Sequence, residues 1–313
     1  MSNKIPHILT ILGPTASGKT NVACSVAAQI QGEIISADSR QVYKYMDIGT
    51  GKDLQEYTVN GVEIPYHLID IHDPGYKYNI AEFQLDFLKV LPDIKQNNKV
   101  PILCGGSGLY IEAALKGNSY LGIPMNEQKQ QELEGYSLEE LNALFDQIDP
   151  KIKENLNNET KRRMVRAIII DNFLKENPEF KTVDKPEFYH TIIGIDIDRE
   201  LRREKITNRL SYRLNNGMIE EVQWLLDHYL TYEDLEYYGL EYKWIGQFLK
   251  NEITKKELFF GLNTAIHQFA KRQMTWFRRM EKNGYNIHWI RSDLDLDDKT
   301  AEVIRLYKAN DRT

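Results

Sequence analysis

The chain has 313 residues, of which 42% are hydrophobic, 27% charged and 11% aromatic, a composition typical of a folded protein of one or two domains. Forty Lys and Arg against 46 Asp and Glu give a formal net charge of -6, which excludes histone-like binding to nucleic acid and leaves only local basic patches for a polyanion. Two cysteines, Cys24 and Cys104, are too few for a disulfide framework or a Cys-based zinc site. They favour a reducing cytoplasm.

Strand-like runs rich in Ile, Leu and Val recur along the chain and are mostly separated by segments of helical length. They occupy residues 8–12, 33–37, 66–71, 100–104, 191–197 and 287–290. This alternation predicts an α/β fold with a mostly parallel sheet covered by helices. No run approaches the ~20 apolar residues that span a bilayer, so no membrane partner is expected.

Three helical regions are indicated beyond the strands. Residues 118–189 are rich in Gln, Glu, Asn and Lys with helical periodicity, which predicts a helical insertion. A long charged helix is predicted from Arg199 to residue 216, with Gly217 as its C-terminal stop. A short amphipathic helix is predicted at 300–309, after an acidic run that we interpret as solvated surface.

The strongest motif, GPTASGKT, matches G-x-x-x-x-G-K-[ST] between a predicted strand and a predicted helix at 21–31. Its backbone N–H groups and the helix N-terminus suit a phosphate group, the lysine supplies a cation, and the terminal threonine can ligate Mg²⁺. These residues are Gly13, Pro14, Thr15, Ala16, Ser17, Gly18, Lys19 and Thr20. The loop alone leaves open which polyphosphate it binds.

An acidic residue follows the second predicted strand rather than the fourth. Asp38 is followed by Ser39, Arg40 and Gln41, whereas the strand ending at Cys104 leads into a glycine-rich turn without the acid that phosphate-loop ATPases use. Because parallel strands end at one edge, Asp38 can serve magnesium or act as a base toward an acceptor. A turn aspartate that binds backbone N–H groups is the alternative.

Five motifs occur in the order in which one known family has them. GPTASGKT, ISADSRQVYKYMDIGTGKD, HLIDIHDP, PILCGGSGLYIEAAL and AKRQMTWFRR resemble the tRNA dimethylallyltransferases, also called tRNA isopentenyltransferases. The resemblance implies transfer of a dimethylallyl group from dimethylallyl diphosphate to the exocyclic amine of the adenosine that is 3′-adjacent to the anticodon. It also implies a P-loop NTPase-like core from residues 1–117 and 191–313, and an insertion domain at 118–190 that contacts the anticodon arm.

The resemblance assigns roles to individual residues. Asp38 matches the general base, the phosphate loop binds the diphosphate, and Thr20 holds Mg²⁺, the one cofactor implied. Arg209 matches an arginine that contacts the diphosphate, and it shares a helical face with Arg202, Lys205 and Arg213. The chain departs from the family pattern at 240–241, where Leu and Glu replace Tyr and a following cation.

The tRNA contacts that the resemblance implies fall into three segments. They are Asp38, Ser39, Arg40, Gln41 and Ser107 at the target base, Arg162, Arg163, Met164, Val165 and Arg166 in the insertion, and Lys271 and Arg272 near the C-terminus. The arginines of the insertion suit phosphate groups. The helical spacing of Phe269, Trp276 and Phe277 favours core packing over base stacking.

Two other enzymatic functions are compatible with these motifs. An adenylate isopentenyltransferase would use a free adenine nucleotide as acceptor, although a basic helical insertion has little use there. A phosphate-loop kinase or ATPase would bind ATP at Lys19. We expect a cytoplasmic monomer that binds tRNA and dimethylallyl diphosphate, with no protein partner implied.

Overall fold

The computed structural model describes residues 5–117, 119–124, 126–156, 160–182 and 187–310. Contacts between residues divide the chain into two compact units. The first contains residues 1–115 and 187–313, and the second contains residues 116–186. Both ends of the chain therefore contribute to one α/β unit.

The first unit contains a six-stranded sheet in which every pairing is parallel. Its strands are β1 (His7–Leu12), β2 (Gly32–Ser36), β5 (Tyr66–His67), β6 (Val100–Gly105), β7 (Tyr189–Asp196) and β8 (Ile287–Arg291), and a hairpin of β3 (Thr58–Val59) and β4 (Val62–Glu63) lies outside it. The spatial order is β5-β2-β6-β1-β7-β8. This sheet confirms the predicted fold class.

Helices cover both faces of the sheet because both faces are apolar. In β1, Ile8 and Leu12 belong to one buried cluster, while Leu9 and Ile11 belong to another. A strand that is buried on both sides is typical of a parallel sheet. The helices of this unit are α1 (Lys19–Ile30), α2 (Ile80–Gln96), α3 (Gly108–Lys116), α8 (Arg199–Leu214), α9 (Met218–His228), α10 (Leu240–Leu249), α11 (Lys255–Lys282) and α12 (Leu296–Ala309).

Two local predictions in this unit are wrong. The strand predicted at 66–71 ends at His67, because Leu68 and Asp70 have φ values of 63° and 56° that interrupt extended backbone. Gly217 does not end α8, which stops at Leu214; its φ of 100° instead places it at the N-cap of α9. Glycine suits either position, since both tolerate a positive φ.

The second unit is helical and consists of α4 (Glu127–Glu134), α5 (Leu138–Phe145), α6 (Pro150–Asn155) and α7 (Lys161–Glu176). Its own apolar cluster includes Leu141, Phe145 and Ile168. The sequence predicts an insertion that extends to residue 190, but Tyr189 already pairs with His7 as part of β7. Within the described ranges no helix is long and apolar enough to cross a membrane.

Candidate active site

The carboxyl ends of three neighbouring strands form one edge of the sheet. Because β6 lies between β1 and β2, the segment that follows β6 lies between the phosphate loop and the Asp38 segment. A cavity of about 770 Å³ opens there, entirely within the first unit. Ligands of open parallel sheets bind at such an edge.

Most residues that the sequence singled out in this unit line the cavity. They are Thr15, Ala16, Gly18, Lys19, Thr20, Asp38, Ser39, Arg40, Gln41, Ser107, Arg209 and Arg272. Gly13, Pro14, Ser17 and Lys271 are not among its lining residues. The structure therefore brings together the phosphate loop, the Asp38 segment and Arg209 of α8.

The phosphate loop has the backbone shape that an anion-binding loop needs. Ala16 and Gly18 have φ values of 64° and 81°, and the N–H of Ser17 donates to the carbonyl of Pro14 at 3.2 Å. Gly13 leaves room for Ser17, whose Oγ would lie 2.6 Å from a Cβ at that position. The loop leads directly into α1, which begins at Lys19, and its first two residues, Lys19 and Thr20, line the cavity. The unpaired N–H groups of a helix N-terminus suit an anion.

Two cations face this loop from different elements. Burial lowers the pKa of Lys19, and the nearby Arg209 lowers it further. Burial and the adjacent Arg213 lower the pKa of Arg209 to about 10, while its Nη2 donates to the Thr15 hydroxyl. Positive charge that is desolvated in this way favours the binding of an anion.

Arg213, one helical turn beyond Arg209, has a carboxylate partner. Its Nη2 donates to both carboxylate oxygens of Asp53, at 2.7 and 2.9 Å. Gly51 has a φ of 67°, and a Cβ there would lie 2.8 Å from the Arg213 Nη1. Asp53 lies inside one of the quoted motifs, but nothing in the sequence assigns it Arg213 as a partner.

Asp38 combines the two alternatives that the sequence left open. Its Oδ1 accepts from the N–H of Arg40 at 2.8 Å, as in a turn, and the residue also lines the cavity. The guanidinium of Arg40 lies 4.7 Å from the centre of the Tyr237 ring. The turn fixes the carboxylate at the cavity wall and does not exclude a role as base.

Gln41 connects two parts of the wall. Its Oε1 accepts from the hydroxyl of Ser36 at 2.8 Å, and its Nε2 donates to the carbonyl of Gly51 at 3.1 Å. The side chain therefore links the end of β2 to the segment that also carries Asp53. Both the oxygen and the nitrogen of the Gln41 side-chain amide are thus used within the protein.

Gln273 of α11 is a residue that the sequence analysis missed as a contributor to the site. Its Oε1 accepts from the N–H of Thr15 at 2.8 Å, and its Nε2 donates to the carbonyl of Gly106 at 2.9 Å. Gly105 permits the close approach of strands here, since a Cβ would lie 2.4 Å from the Ala37 carbonyl oxygen. Gln273 thus fixes the phosphate loop against the glycine-rich segment.

The aromatic residues of α11 divide between core and cavity. Phe277 is fully buried, as the sequence predicts, and Trp276 donates to the carboxylate of Glu112 at 2.7 Å. Phe269 is 40% exposed and lines the cavity beside Arg272, so the prediction of core packing is wrong for this ring. The turn of α11 that carries Phe269 faces the cavity rather than the neighbouring helices.

Comparison with known proteins assigns the chain to a family. The IPP transferase family model matches residues 41–280. The chain belongs to the IPP transferase family. It is 51% identical over 292 residues to tRNA dimethylallyltransferase 2 of Bacteroides fragilis, which covers 93% of this chain and 95% of the relative.

Solved structures agree with this assignment. The full-length tRNA isopentenylpyrophosphate transferase of Bacillus halodurans matches with a TM-score of 0.71 and 30% identity, covering 98% of this chain and 96% of that chain. A eukaryotic dimethylallyltransferase described as acting on tRNA matches with a TM-score of 0.75, covering 98% of this chain and 79% of that one. Its 23% identity supports the fold alone.

The predicted RNA contacts of this IPP transferase in the second unit divide by exposure. Arg162 and Arg163 are exposed, whereas Met164 and Val165 are each 2% exposed within the apolar cluster. This burial corrects the prediction for the last two, whose side chains have no surface to offer an RNA. Arg166 donates to the carbonyls of Ile123 and Pro124 at 2.7 and 3.1 Å, which ties α7 to the segment before α4.

Acidic residues at the cavity do not form a metal cage. In the part of the chain that the structure describes, no group of three or more His, Cys, Asp or Glu side chains could hold a metal ion. Mg²⁺ commonly takes one or two protein oxygens and fills its remaining positions with water and substrate phosphates. The Thr20 hydroxyl beside the phosphate loop fits that mode of binding.

Glu241 adds a half-buried acid to the cavity wall. It lines the cavity, and burial raises the pKa of its carboxyl, while the nearby Arg209 and Arg213 oppose that rise. Glu56 also lines the cavity, and burial and Asp53 raise its pKa. These acids offset part of the positive charge of the arginines.

Proposed function

We propose that the chain transfers a dimethylallyl group from dimethylallyl diphosphate to the exocyclic amine of the adenosine that is 3′-adjacent to the anticodon of a tRNA. One observation carries this proposal: a single cavity holds a phosphate loop and Asp38 on opposite sides of the glycine-rich segment after β6. Similarity to enzymes named tRNA dimethylallyltransferases over 93% of the chain favours the same reaction.

The donor diphosphate fits the phosphate-loop side of the cavity. Backbone N–H groups of the loop, the N-terminus of α1, Lys19 and Arg209 supply donors and positive charge there. Negative charge on the diphosphate grows as the allylic C–O bond breaks, so donors that are already in place lower the barrier. Mg²⁺ held by Thr20 and the phosphates would neutralise further charge on the leaving group.

The acceptor amine fits the Asp38 side. As its nitrogen attacks the allylic carbon, the new C–N bond forms, the C–O bond breaks and the diphosphate leaves with the bonding electrons. The nitrogen then loses one proton to the carboxylate of Asp38. The turn that holds Asp38 through the Arg40 N–H keeps the carboxylate in place for this step.

Recognition of the RNA uses exposed residues of α7 together with residues of α11 at and beside the cavity. The exposed Arg162 and Arg163 of α7 suit phosphates of the anticodon arm, and Lys271 and Arg272 suit those near the target base. A base that must reach a recessed site has to leave its stack, and Phe269, exposed at the cavity, offers a ring on which a base can stack.

A labelling experiment tests the reaction. Purified protein is incubated with Mg²⁺, labelled dimethylallyl diphosphate and either unmodified tRNA or AMP, and the label is counted in each acceptor. We expect label in tRNA and none in AMP. Label in AMP alone would make the protein a nucleotide-modifying enzyme, and hydrolysis of ATP without labelling would favour the kinase or ATPase alternative.

The role of Asp38 has its own test in the same assay. Asp38→Asn keeps the shape of the side chain and removes its basicity, so we expect turnover to fall by a factor on the order of 10² with little change in donor affinity. Asp93→Asn, at an exposed position of α2, is the control. Turnover of the Asp38 variant near that of the control would remove Asp38 from the role of base.

A further inference from the structure

A carboxylate outside the cavity holds the loop that forms one of its walls. Glu221, in the first turn of α9, accepts from the backbone N–H groups of Asp47 and Ile48 through Oε2, at 2.8 and 2.7 Å. Its Oε1 accepts from the N–H of Gly49 at 3.0 Å and from the Tyr242 hydroxyl at 2.9 Å. Hydrogen bonds to an ionised acceptor are about twice as strong as neutral ones.

The same loop also packs against an aromatic ring. Tyr242 of α10 is 1% exposed, and a Cβ on Gly49 would lie 2.6 Å from its phenol oxygen. The ring therefore contacts the backbone of the loop directly, while the carboxylate binds three consecutive N–H groups. Loop, carboxylate and ring are therefore joined by four hydrogen bonds and one close packing contact.

This loop continues into residues that serve both halves of the cavity. The carbonyl of Gly51 accepts from Gln41 at 3.1 Å, on the side of Asp38. Two residues further, Asp53 binds the guanidinium of Arg213 at 2.7 and 2.9 Å, beside Arg209. A displacement of the loop would therefore move groups on the donor side and on the acceptor side together.

We propose that Glu221 is a positioning residue for the transfer reaction: it fixes the loop of residues 47–53 so that Asp53 holds Arg213 at the diphosphate site. Glu221 is not among the residues that line the cavity and does not need to touch either substrate. This proposal rests on the proposed function, because it takes a diphosphate as the ligand of the cavity. Binding of the donor can nevertheless be measured without transfer.

A purely structural role would give a different result. If Glu221 only stabilised the fold, its loss would lower the melting temperature and leave donor affinity and turnover of the folded fraction unchanged. If it positions the loop, donor affinity falls in protein that is still folded. Misplacement of a binding group by about 1 Å can cost 10²-fold in rate, so an effect of about tenfold on donor affinity is a moderate expectation.

The test compares Glu221→Gln with Glu220→Gln. Both substitutions remove one negative charge from the first turn of α9, but Glu220 is exposed. Dissociation constants for dimethylallyl diphosphate are measured by calorimetry below the melting temperature, with steady-state transfer kinetics where transfer occurs. We expect donor affinity to fall about tenfold and the donor KM to rise for Glu221→Gln, with both unchanged for Glu220→Gln.

The proposal would be overturned by donor affinity within twofold of the wild type for Glu221→Gln, or by an equal loss of donor affinity for Glu220→Gln.

If Glu221→Gln fails to fold, Tyr242→Phe decides, because it removes one of the four hydrogen bonds to the carboxylate and keeps the ring. Unchanged donor affinity for Tyr242→Phe would then overturn the proposal. Absence of transfer by the wild type, with donor binding lost on Glu221→Gln, would contradict the proposed function but not the positioning role.

Discussion

Replacement of Gln273 by methionine should destabilise the protein and weaken donor binding at the same time. Methionine has a similar length and fills the same space, but it can neither accept from the Thr15 N–H nor donate to the Gly106 carbonyl. Each buried group that loses its partner costs about 1–3 kcal/mol. Because Thr15 and Gly106 line the cavity, water can reach them and replace part of the lost hydrogen bonding. We therefore expect the free energy of unfolding to fall by about 2 kcal/mol in total.

The assay is urea unfolding followed by fluorescence, together with calorimetric titration of dimethylallyl diphosphate. Gln268→Met is the matched control, since Gln268 is exposed on the same helix. We expect the control to change the free energy of unfolding by less than about 0.5 kcal/mol. If Gln273→Met unfolds with the same free energy as Gln268→Met and binds donor equally well, Gln273 does not hold the phosphate loop.

Two further predictions concern buried polar groups. Lys52 is 1% exposed, and its ammonium donates to Asp47, Asp70 and a carbonyl oxygen. Lys52→Met should therefore lower the free energy of unfolding, measured in urea, by about 3 kcal/mol, and a loss below about 1 kcal/mol would contradict this role. Burial raises the pKa of the thiols of Cys24 and Cys104, that of Cys104 to about 12. Iodoacetamide at pH 8 should therefore modify neither cysteine until the protein unfolds, and stoichiometric labelling of the native protein would refute this prediction.

The sheet could be predicted from the sequence because its central strands β1, β2 and β6 are buried on both faces. Runs of apolar residues in parallel strands are nearly continuous, and each such run became a strand of the sheet. The errors lie where conformation depends on single residues. Leu68 adopts a positive φ that its residue type disfavours, and a glycine such as Gly217 can end one helix or begin the next.

The site was predictable where one motif contains the whole chemistry and unpredictable where the partners are distant. The phosphate loop needs residues that are contiguous in the chain. By contrast, Gln273 contacts a backbone group 258 positions away, and Asp53 contacts Arg213 across 160 positions. Sequence identifies such residues as polar but cannot say which buried group each one satisfies, because that depends on how α8 and α11 pack.

The different partners of Arg209 and Arg213 on α8 suggest how the site can be both stable and able to bind an anion. The two adjacent, half-buried guanidiniums repel each other, and this repulsion adds to the effect of burial in lowering the pKa of Arg209. Arg213 is neutralised by Asp53 through two hydrogen bonds, whereas Arg209 donates to the neutral hydroxyl of Thr15, and no described carboxylate lies within ion-pair distance of it. Arg209 therefore keeps its charge for an incoming diphosphate, while Arg213, paired with Asp53 on the loop that Glu221 fixes, does not need the ligand for its own stability.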